Sequence, residues 1–326
     1  MKKSFICLIT FCLVFWALLA YAITPPQDLT APMEYGETGP YTMSSETFEN
    51  SMWRLSDGGV PVTVLLPVER SASVPALFFS HGFGCTNWMG YRSLLTHLVS
   101  WGFAVVYSPY PIRGSSVSER YQILWNGFQE AAERYATQFN LQKVGFLGHS
   151  FGAGAIPAMA WKGLVEEGWG TEGAFLFIMA PWYSHDISDT QLEIFPEHVN
   201  MIIQVYNEDN INDHRMAIDI FTNMAIPDSR KAYYNVLKGS FPAKHSVPSD
   251  RQNNELDCLA IRKPLDALID YSFEITDPYE GKNYALDGQG EHFQHTVTKN
   301  PTVVADESKY QWSWSFFLNP RFNYRH

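Results

Sequence analysis

The chain is poor in cysteine and in charge. Only four of its 326 residues are cysteine, and none are spaced as in the paired C-x-x-C motifs of zinc sites. Charged residues make up 17 %, and acidic side chains outnumber basic ones, so the net charge is −11. Such a surface repels nucleic acid and anionic lipid. We therefore expect no nucleic-acid partner. The cysteine spacing gives no reason to expect a metal, and no cofactor is expected either.

The chain also lacks internal repeats and low-complexity segments. It is instead rich in apolar side chains, at 46 % hydrophobic and 15 % aromatic residues. A chain of this length and composition forms one large domain or two small ones around a sizeable core. This excludes a disordered or fibrous protein.

The first 22 residues have the organisation of a signal peptide. A basic start, "MKKS", precedes the apolar run Phe5–Leu19, and a small-x-small cleavage signal ends at Ala22. The apolar run is short for a membrane span. We expect cleavage near Ala22, a secreted or periplasmic protein and no stable membrane insertion afterwards; the alternative is an uncleaved anchor.

Cleavage would leave two cysteines, Cys85 and Cys258. In an oxidising compartment disulfides persist, so the sequence predicts a bridge between them. The alternative is two separate buried thiols.

Continuous apolar runs alternate with segments of helical period. Since strands buried on both faces read as such runs, the pattern predicts an α/β fold, with a mostly parallel central sheet flanked by helices. We expect one domain over 23–273, coil over 23–50, and a C-terminal extension over 274–326 packed on the domain. The predicted strands are 75–82, 103–109, 143–148, 173–181, 199–207 and 230–239, and the clearest predicted helices are 91–102 and 118–139.

The stretch "LGHSFGAG" contains G-x-S-x-G between an apolar strand and a helix. In that context a tight turn exposes the serine hydroxyl, so Ser150 is a candidate nucleophile and the amide of Phe151 a candidate oxyanion donor. The alternative is a serine that caps a helix. His149 is expected to point away from Ser150 and to be structural.

The glycine loop "SHGFGCTNW" follows an earlier strand, and the amide of Phe83 is the candidate second oxyanion donor. A plain glycine turn is the alternative. Asp209 and His245 each follow a later strand, which gives the chain order nucleophile, acid, base of this architecture. Asp213 is the alternative acid, and Asp209 is favoured because it is nearer the end of its strand.

These residues in this order resemble the α/β-hydrolase superfamily over about 50–273. "GHSFG" and "FFSHGFG…LVSWGFAVV" are similar to platelet-activating-factor acetylhydrolases and chlorophyllases. "APW" (180–182) and "NEDNIND" are similar to secreted dienelactone-hydrolase-like and cutinase-like polyesterases. The second resemblance implies that Trp182 stacks on the acyl part of the substrate, opposite Phe83; the alternative is a core aromatic.

Two features depart from these families. The polyesterases usually have Met where this chain has Phe151, and the segment beyond 273 matches neither group. The short run 291–295 contains two histidines, but its spacing is not that of a zinc motif, and no metal is expected there.

The sequence as a whole predicts a secreted serine hydrolase that cleaves small or polymeric carboxylic esters through an acyl-enzyme intermediate. An acyltransferase, a thioesterase or an amidase would use the same three residues. A non-catalytic binding protein on the same fold is the remaining alternative. The oligomeric state does not follow from the sequence.

Overall fold

A computed structural model describes residues 34–68, 70, 72–249, 255–290, 296–297 and 309–321. The predicted signal peptide and the histidine-containing run 291–295 lie outside the described residues.

One mixed sheet organises these residues, and six adjacent strands at its centre are parallel. The order across the sheet is β1-β2-β4-β3-β5-β6-β7-β8-β9, with antiparallel pairing of β1 to β2, β2 to β4 and β8 to β9. The strands are β1 Met43–Phe48, β2 Val62–Pro67, β3 Val74–Ser80, β4 Ala104–Tyr107, β5 Phe139–His149, β6 Gly173–Met179, β7 Asn200–Tyr206, β8 Lys231–Val236 and β9 Thr296–Val297. This confirms the predicted mostly parallel α/β fold, and the arrangement is compatible with an α/β-hydrolase-like fold.

Both faces of the sheet are covered. In β3, Phe78 belongs to one hydrophobic cluster, whereas Leu77 and Phe79 belong to the cluster on the other face. Because successive side chains of a strand point to opposite faces, a strand buried on both sides must be apolar throughout. This is why the central strands are readable from the sequence as unbroken apolar runs.

Helices supply the two covering layers. The helix that starts at Val117 is capped at its N-terminus by Ser116, whose side chain accepts a hydrogen bond from the amide of Glu119. In return, the carboxylate of Glu119 accepts a hydrogen bond from the amide of Ser116. Apart from the single α-helical turn Glu255–Asp257 and short 3₁₀ and π segments, the helices of the described residues are α1 Arg92–Ser100, α2 Val117–Arg134, α3 Phe151–Trp161, α4 Asp189–Glu193, α5 His214–Asn223, α6 Lys263–Phe273 and α7 Pro278–Ala285. Among the described residues, no helix combines the length and apolarity that a membrane crossing requires.

The predicted coil over 23–50 is wrong for its last part, because β1 (Met43–Phe48) is an edge strand. Three consecutive residues of it, Ser45 to Thr47, are exposed. A strand exposed along much of its length needs no apolar run, so hydrophobic patterning does not reveal it.

The predicted bridge between Cys85 and Cys258 is not formed in the structure, where both are thiols outside any disulfide. The two side chains pack in different places. A Cβ built on Gly90 would collide with the sulfur of Cys85, whereas one built on Gly36 would lie 2.9 Å from the sulfur of Cys258. Burial raises the pKa of the Cys258 thiol.

Candidate active site

Ser150 occupies the single-residue turn between β5 and α3. Its backbone has φ 58° and ψ −121°, a conformation that costs free energy in a residue with a side chain. Three backbone hydrogen bonds hold it there: Ser150 N–H donates to Met179 O at 2.9 Å, and Ser150 O accepts from Trp182 and Gly154 at 2.9 and 3.1 Å. The turn is therefore strained but well determined, as in the nucleophile elbow that G-x-S-x-G predicts.

The two glycines of the motif are required by close backbone contacts. A Cβ on Gly148 would lie 2.7 Å from the carbonyl oxygen of Gly152, and one on Gly152 would collide with the carbonyl oxygen of Ser80. Only residues without a side chain let β5, α3 and the end of β3 meet at this point.

The structure joins Ser150, His245 and Asp209 in one line of hydrogen bonds. Ser150 Oγ lies 2.9 Å from His245 Nε2, and His245 Nδ1 lies 2.7 Å from Asp209 Oδ2. Because a carboxylate only accepts, Nδ1 carries the proton and Nε2 presents its lone pair to the serine hydroxyl. The imidazole is thus oriented to remove a proton from Ser150.

Asp209 is fixed for this task. It is fully buried, and its second oxygen, Oδ1, accepts a hydrogen bond from the amide of Ile211 at 2.7 Å. Asn212 follows in the same loop and donates from Nδ2 to the carbonyl oxygen of Ala180 at 3.0 Å, with Ser150 Oγ at 3.5 Å. The loop after β7 therefore places Asp209 against His245 and the side-chain amide of Asn212 beside Ser150.

Asp213, the alternative acid, contacts Arg215 instead of His245. Its Oδ1 lies 3.0 Å from Arg215 Nε, and its Oδ2 accepts from the amide of Trp314 at 2.9 Å. Burial acts to raise the pKa of Asp213, but the hydrogen bonds from Arg215 and Trp314 outweigh it and lower the pKa below its usual value. Asp213 is an anchor for the C-terminal segment.

His149 has a structural role, as the sequence suggested, and its two ring nitrogens contact two different loops. Its Nε2–H donates to the carbonyl oxygen of His245 at 2.8 Å, and its Nδ1 accepts from the hydroxyl of Tyr91 at 2.8 Å. That hydroxyl in turn accepts from the amide of Gly82 at 2.9 Å. Burial and the neighbouring His245 hold the pKa of His149 well below its usual value, so the ring is neutral. One imidazole thus connects the loop of the base to the loop of Gly82, and no sequence motif signals this.

The two segments that carry the candidate oxyanion donors both lie next to the serine. Phe151 is the first residue of α3, where helix N–H groups have no partner within the helix. The loop that contains Phe83 passes directly beside the elbow, since a Cβ on Gly82 would lie 3.5 Å from Ser150 Cβ. The rings of Phe83 and Phe151 are 6.1 Å apart.

A cavity of about 630 Å³ opens over Ser150 and His245. Its volume is in the usual range for sites that bind small molecules. Its lining combines four aromatic side chains with amides and two cations; apart from Ser150 and His245 it comprises Phe83, Phe151, Trp182, Trp312, Asn210, Ile211, Asn212, Gln311, Ser246, Arg120 and Lys244. Although many of these residues are polar, most of the surface that they expose to the cavity is apolar.

Trp182 lies between the hydrophobic core and the cavity. It packs against the hydrophobic core and stacks on Phe151 at 5.6 Å and on His185 at 5.3 Å. It also lines the cavity.

Residues 309–321, here called the C-terminal strap, complete the cavity wall. The amides of Gln311 and Trp312 each donate at 2.8 Å to carbonyl oxygens of the loop after β7, at Asn210 and Ile211 respectively. Further along, the amide of Ser315 donates to the hydroxyl of Tyr183 at 2.8 Å. The sequence predicted a C-terminal extension packed on the domain, but its lack of a period did not indicate which loop it would contact.

A buried cation holds the far end of the strap. Arg321 is 1 % exposed and pairs with Asp219 and, at 3.2 Å, with Asp189. Asn319 donates to the same Asp219 carboxylate at 3.0 Å. A buried guanidinium that lost its carboxylate partners would lower the stability of the fold, so these ion pairs hold the strap in one position.

Within the described part of the chain, no cluster of histidine, cysteine and carboxylate side chains could hold a metal ion. No protein-family model and no curated protein sequence matches the chain. Its chemistry must therefore be argued from the site.

Proposed function

We propose that this protein is a serine hydrolase that cleaves carboxylic esters through an acyl-enzyme intermediate. The single observation that carries the proposal is the line of hydrogen bonds Ser150–His245–Asp209, at 2.9 and 2.7 Å, on the floor of a cavity. A helix cap would not need a base and a buried acid behind the serine.

In the proposed first step, Ser150 Oγ attacks the ester carbonyl while its proton passes to His245 Nε2. The imidazolium that forms is stabilised by Asp209, which already accepts from Nδ1–H. The amides of Phe151 and Phe83 hold the negative charge that develops on the carbonyl oxygen. His245 then gives the proton to the departing alcohol, which leaves the acyl group on Ser150.

In the second step, water replaces the alcohol. Water attacks the acyl carbonyl while His245 takes a proton from it. His245 then returns that proton to Ser150 Oγ as the carboxylic acid product leaves. The neutral state of His149 favours both steps, because a second cation beside His245 would oppose the formation of the imidazolium.

Ester cleavage, as opposed to amide or thioester cleavage, is supported by the resemblance of "GHSFG" and the glycine loop to ester-cleaving families. We further propose that the mature protein is exported, on the strength of the N-terminal signal.

Labelling with a fluorophosphonate, followed by peptide mapping, tests the proposal. We expect an adduct on Ser150 of the native protein, none after heat denaturation, and none in Ser150→Ala. Hydrolysis of a para-nitrophenyl ester, compared with the matching anilide, then separates esterase from amidase. Absence of the adduct in the native protein would overturn the proposal.

A further inference from the structure

The charge in the cavity is opposite in sign to the charge of the protein. The chain has a net charge of −11, yet the ionic side chains that line the cavity, apart from His245, are Arg120 and Lys244. Among the described residues, no aspartate or glutamate lines it. A cavity lined by positive charge attracts anionic ligands and raises their local concentration, even when the rest of the protein is negatively charged.

Arg120 is held in place by its surroundings. Its Nε donates to the carbonyl oxygen of Pro111 at 2.9 Å, and its guanidinium lies over the rings of Phe83 and Phe151, at 5.3 and 5.8 Å from the ring centres. A guanidinium fixed in this way loses little conformational entropy when it binds an anion.

The positive charge of Arg120 is not neutralised by a direct ion pair with any described residue. Its neighbour in the chain, Glu119, uses its carboxylate to cap α2, accepting from the amide and hydroxyl of Ser116 at 2.7 and 2.8 Å. Lys244 likewise forms no ion pair with a described side chain. Both cations therefore remain available to a ligand.

The aromatic part of the lining indicates which uncharged groups an anionic ligand of this cavity would carry. Trp182 and Trp312 meet edge to face at 6.0 Å, and Phe83 is 56 % exposed. Such surfaces bind aromatic rings and alkyl chains.

We propose that this site selects esters that carry a carboxylate on an aromatic or alkyl body, and that Arg120 binds this carboxylate. Arg120 binds planar oxyanions well because its N–H groups match their geometry. The inference rests on the proposed esterase function. Arg120 is then a specificity-determining residue. Lys244, which immediately precedes His245 in the chain and also lines the cavity, adds to the attraction for the carboxylate.

Two pairs of matched esters test the proposal. In the first pair the charge is on the acyl part: mono-para-nitrophenyl adipate against para-nitrophenyl hexanoate. In the second it is on the alcohol part: para-acetoxybenzoate against its methyl ester. We expect kcat/KM to favour the anionic member of at least one pair, by about 10- to 100-fold, the range of a hydrogen bond to a charged group. This preference should shrink as salt is added.

The matched variants are Arg120→Gln and Arg113→Gln. Arg113 is exposed, lies seven positions before Arg120 and does not line the cavity, so its loss changes the net charge equally. The anionic-to-neutral ratio should fall about tenfold or more in Arg120→Gln and stay within about twofold in Arg113→Gln. Competitive inhibition of neutral-ester cleavage by benzoate gives a second measurement on the unmodified protein.

The possible failures are distinguishable. Cleavage of the neutral esters with no preference for either anionic ester, and no inhibition by benzoate, would overturn the carboxylate proposal alone. An equal fall of the ratio in both variants would also overturn it, because the effect would then come from net charge. Failure of all four esters together with no fluorophosphonate adduct on Ser150 would overturn the proposed function as well.

Discussion

The loops at the strand ends and the C-terminal strap both line the cavity, but they are built by different means. Ser150 directly follows β5, whereas Asp209 and His245 lie in the loops after β7 and β8; the carboxyl ends of these parallel strands meet at one edge of the sheet. The strap has almost no regular structure and is placed by individual hydrogen bonds and by the ion pairs of Arg321. The candidate catalytic residues are therefore positioned by the sheet, whereas the shape of the cavity depends also on a segment with no periodic sequence.

The largest expected effect distinguishes Asp209, which contacts His245, from Asp213, which holds the strap through the amide of Trp314. Asp209→Asn should lower kcat by about 10⁴-fold, because an amide at this position favours the wrong tautomer of His245. Asp213→Asn, which disturbs the strap, should lower kcat by less than about tenfold. Steady-state kinetics with a para-nitrophenyl ester measures both, and similar losses in the two variants would contradict the assignment of Asp209 as the acid.

Arg321→Met should lower the free energy of unfolding by about 3 kcal/mol, since it leaves Asp189 and Asp219 without their buried partner. Denaturant unfolding measures this. Arg113→Gln, at an exposed position, should change the unfolding free energy by less than about 0.5 kcal/mol. An Arg321→Met protein as stable as the parent would mean that the strap is not held by this cluster.

His149→Phe tests the coupling between the strand-end loops. It removes the hydrogen bonds to Tyr91 and to the carbonyl of His245, so kcat should fall by about 10- to 100-fold, the cost of leaving buried polar groups unpaired. His149→Gln can still accept and donate, and should recover part of the loss. Equal activity of the two variants would show that only the shape of the side chain matters.

The smallest effect concerns the strap as a cavity wall. Trp312→Ala should raise KM for an aromatic ester about fivefold with little change in kcat, through loss of one aromatic contact. Phe317→Ala is the control, because Phe317 is in the strap but is 82 % exposed and does not line the cavity. A fall in kcat alone would contradict a role confined to binding.

Several features were predictable for a shared reason. The six parallel strands are buried on both faces, so their apolar runs identify them without knowledge of their neighbours. The elbow is readable because its two glycines are demanded by contacts within the strand–turn–helix unit itself and the adjoining β3. Edge strand β1, the contacts of His149 with two loops and the absence of a bridge between Cys85 and Cys258 were missed, because each depends on partners distant in sequence.

By itself, then, the sequence determined the α/β layering and the chain order of Ser150, Asp209 and His245, because these follow from local periodicity and from the turn that glycine permits. Only the tertiary structure decided that Asp209 and not Asp213 contacts His245, that His149 connects two loops, and that the strap lines the cavity. The physical reason is that these outcomes depend on which polar groups meet across the fold, and hydrogen bonds of that kind leave no periodic trace in the chain.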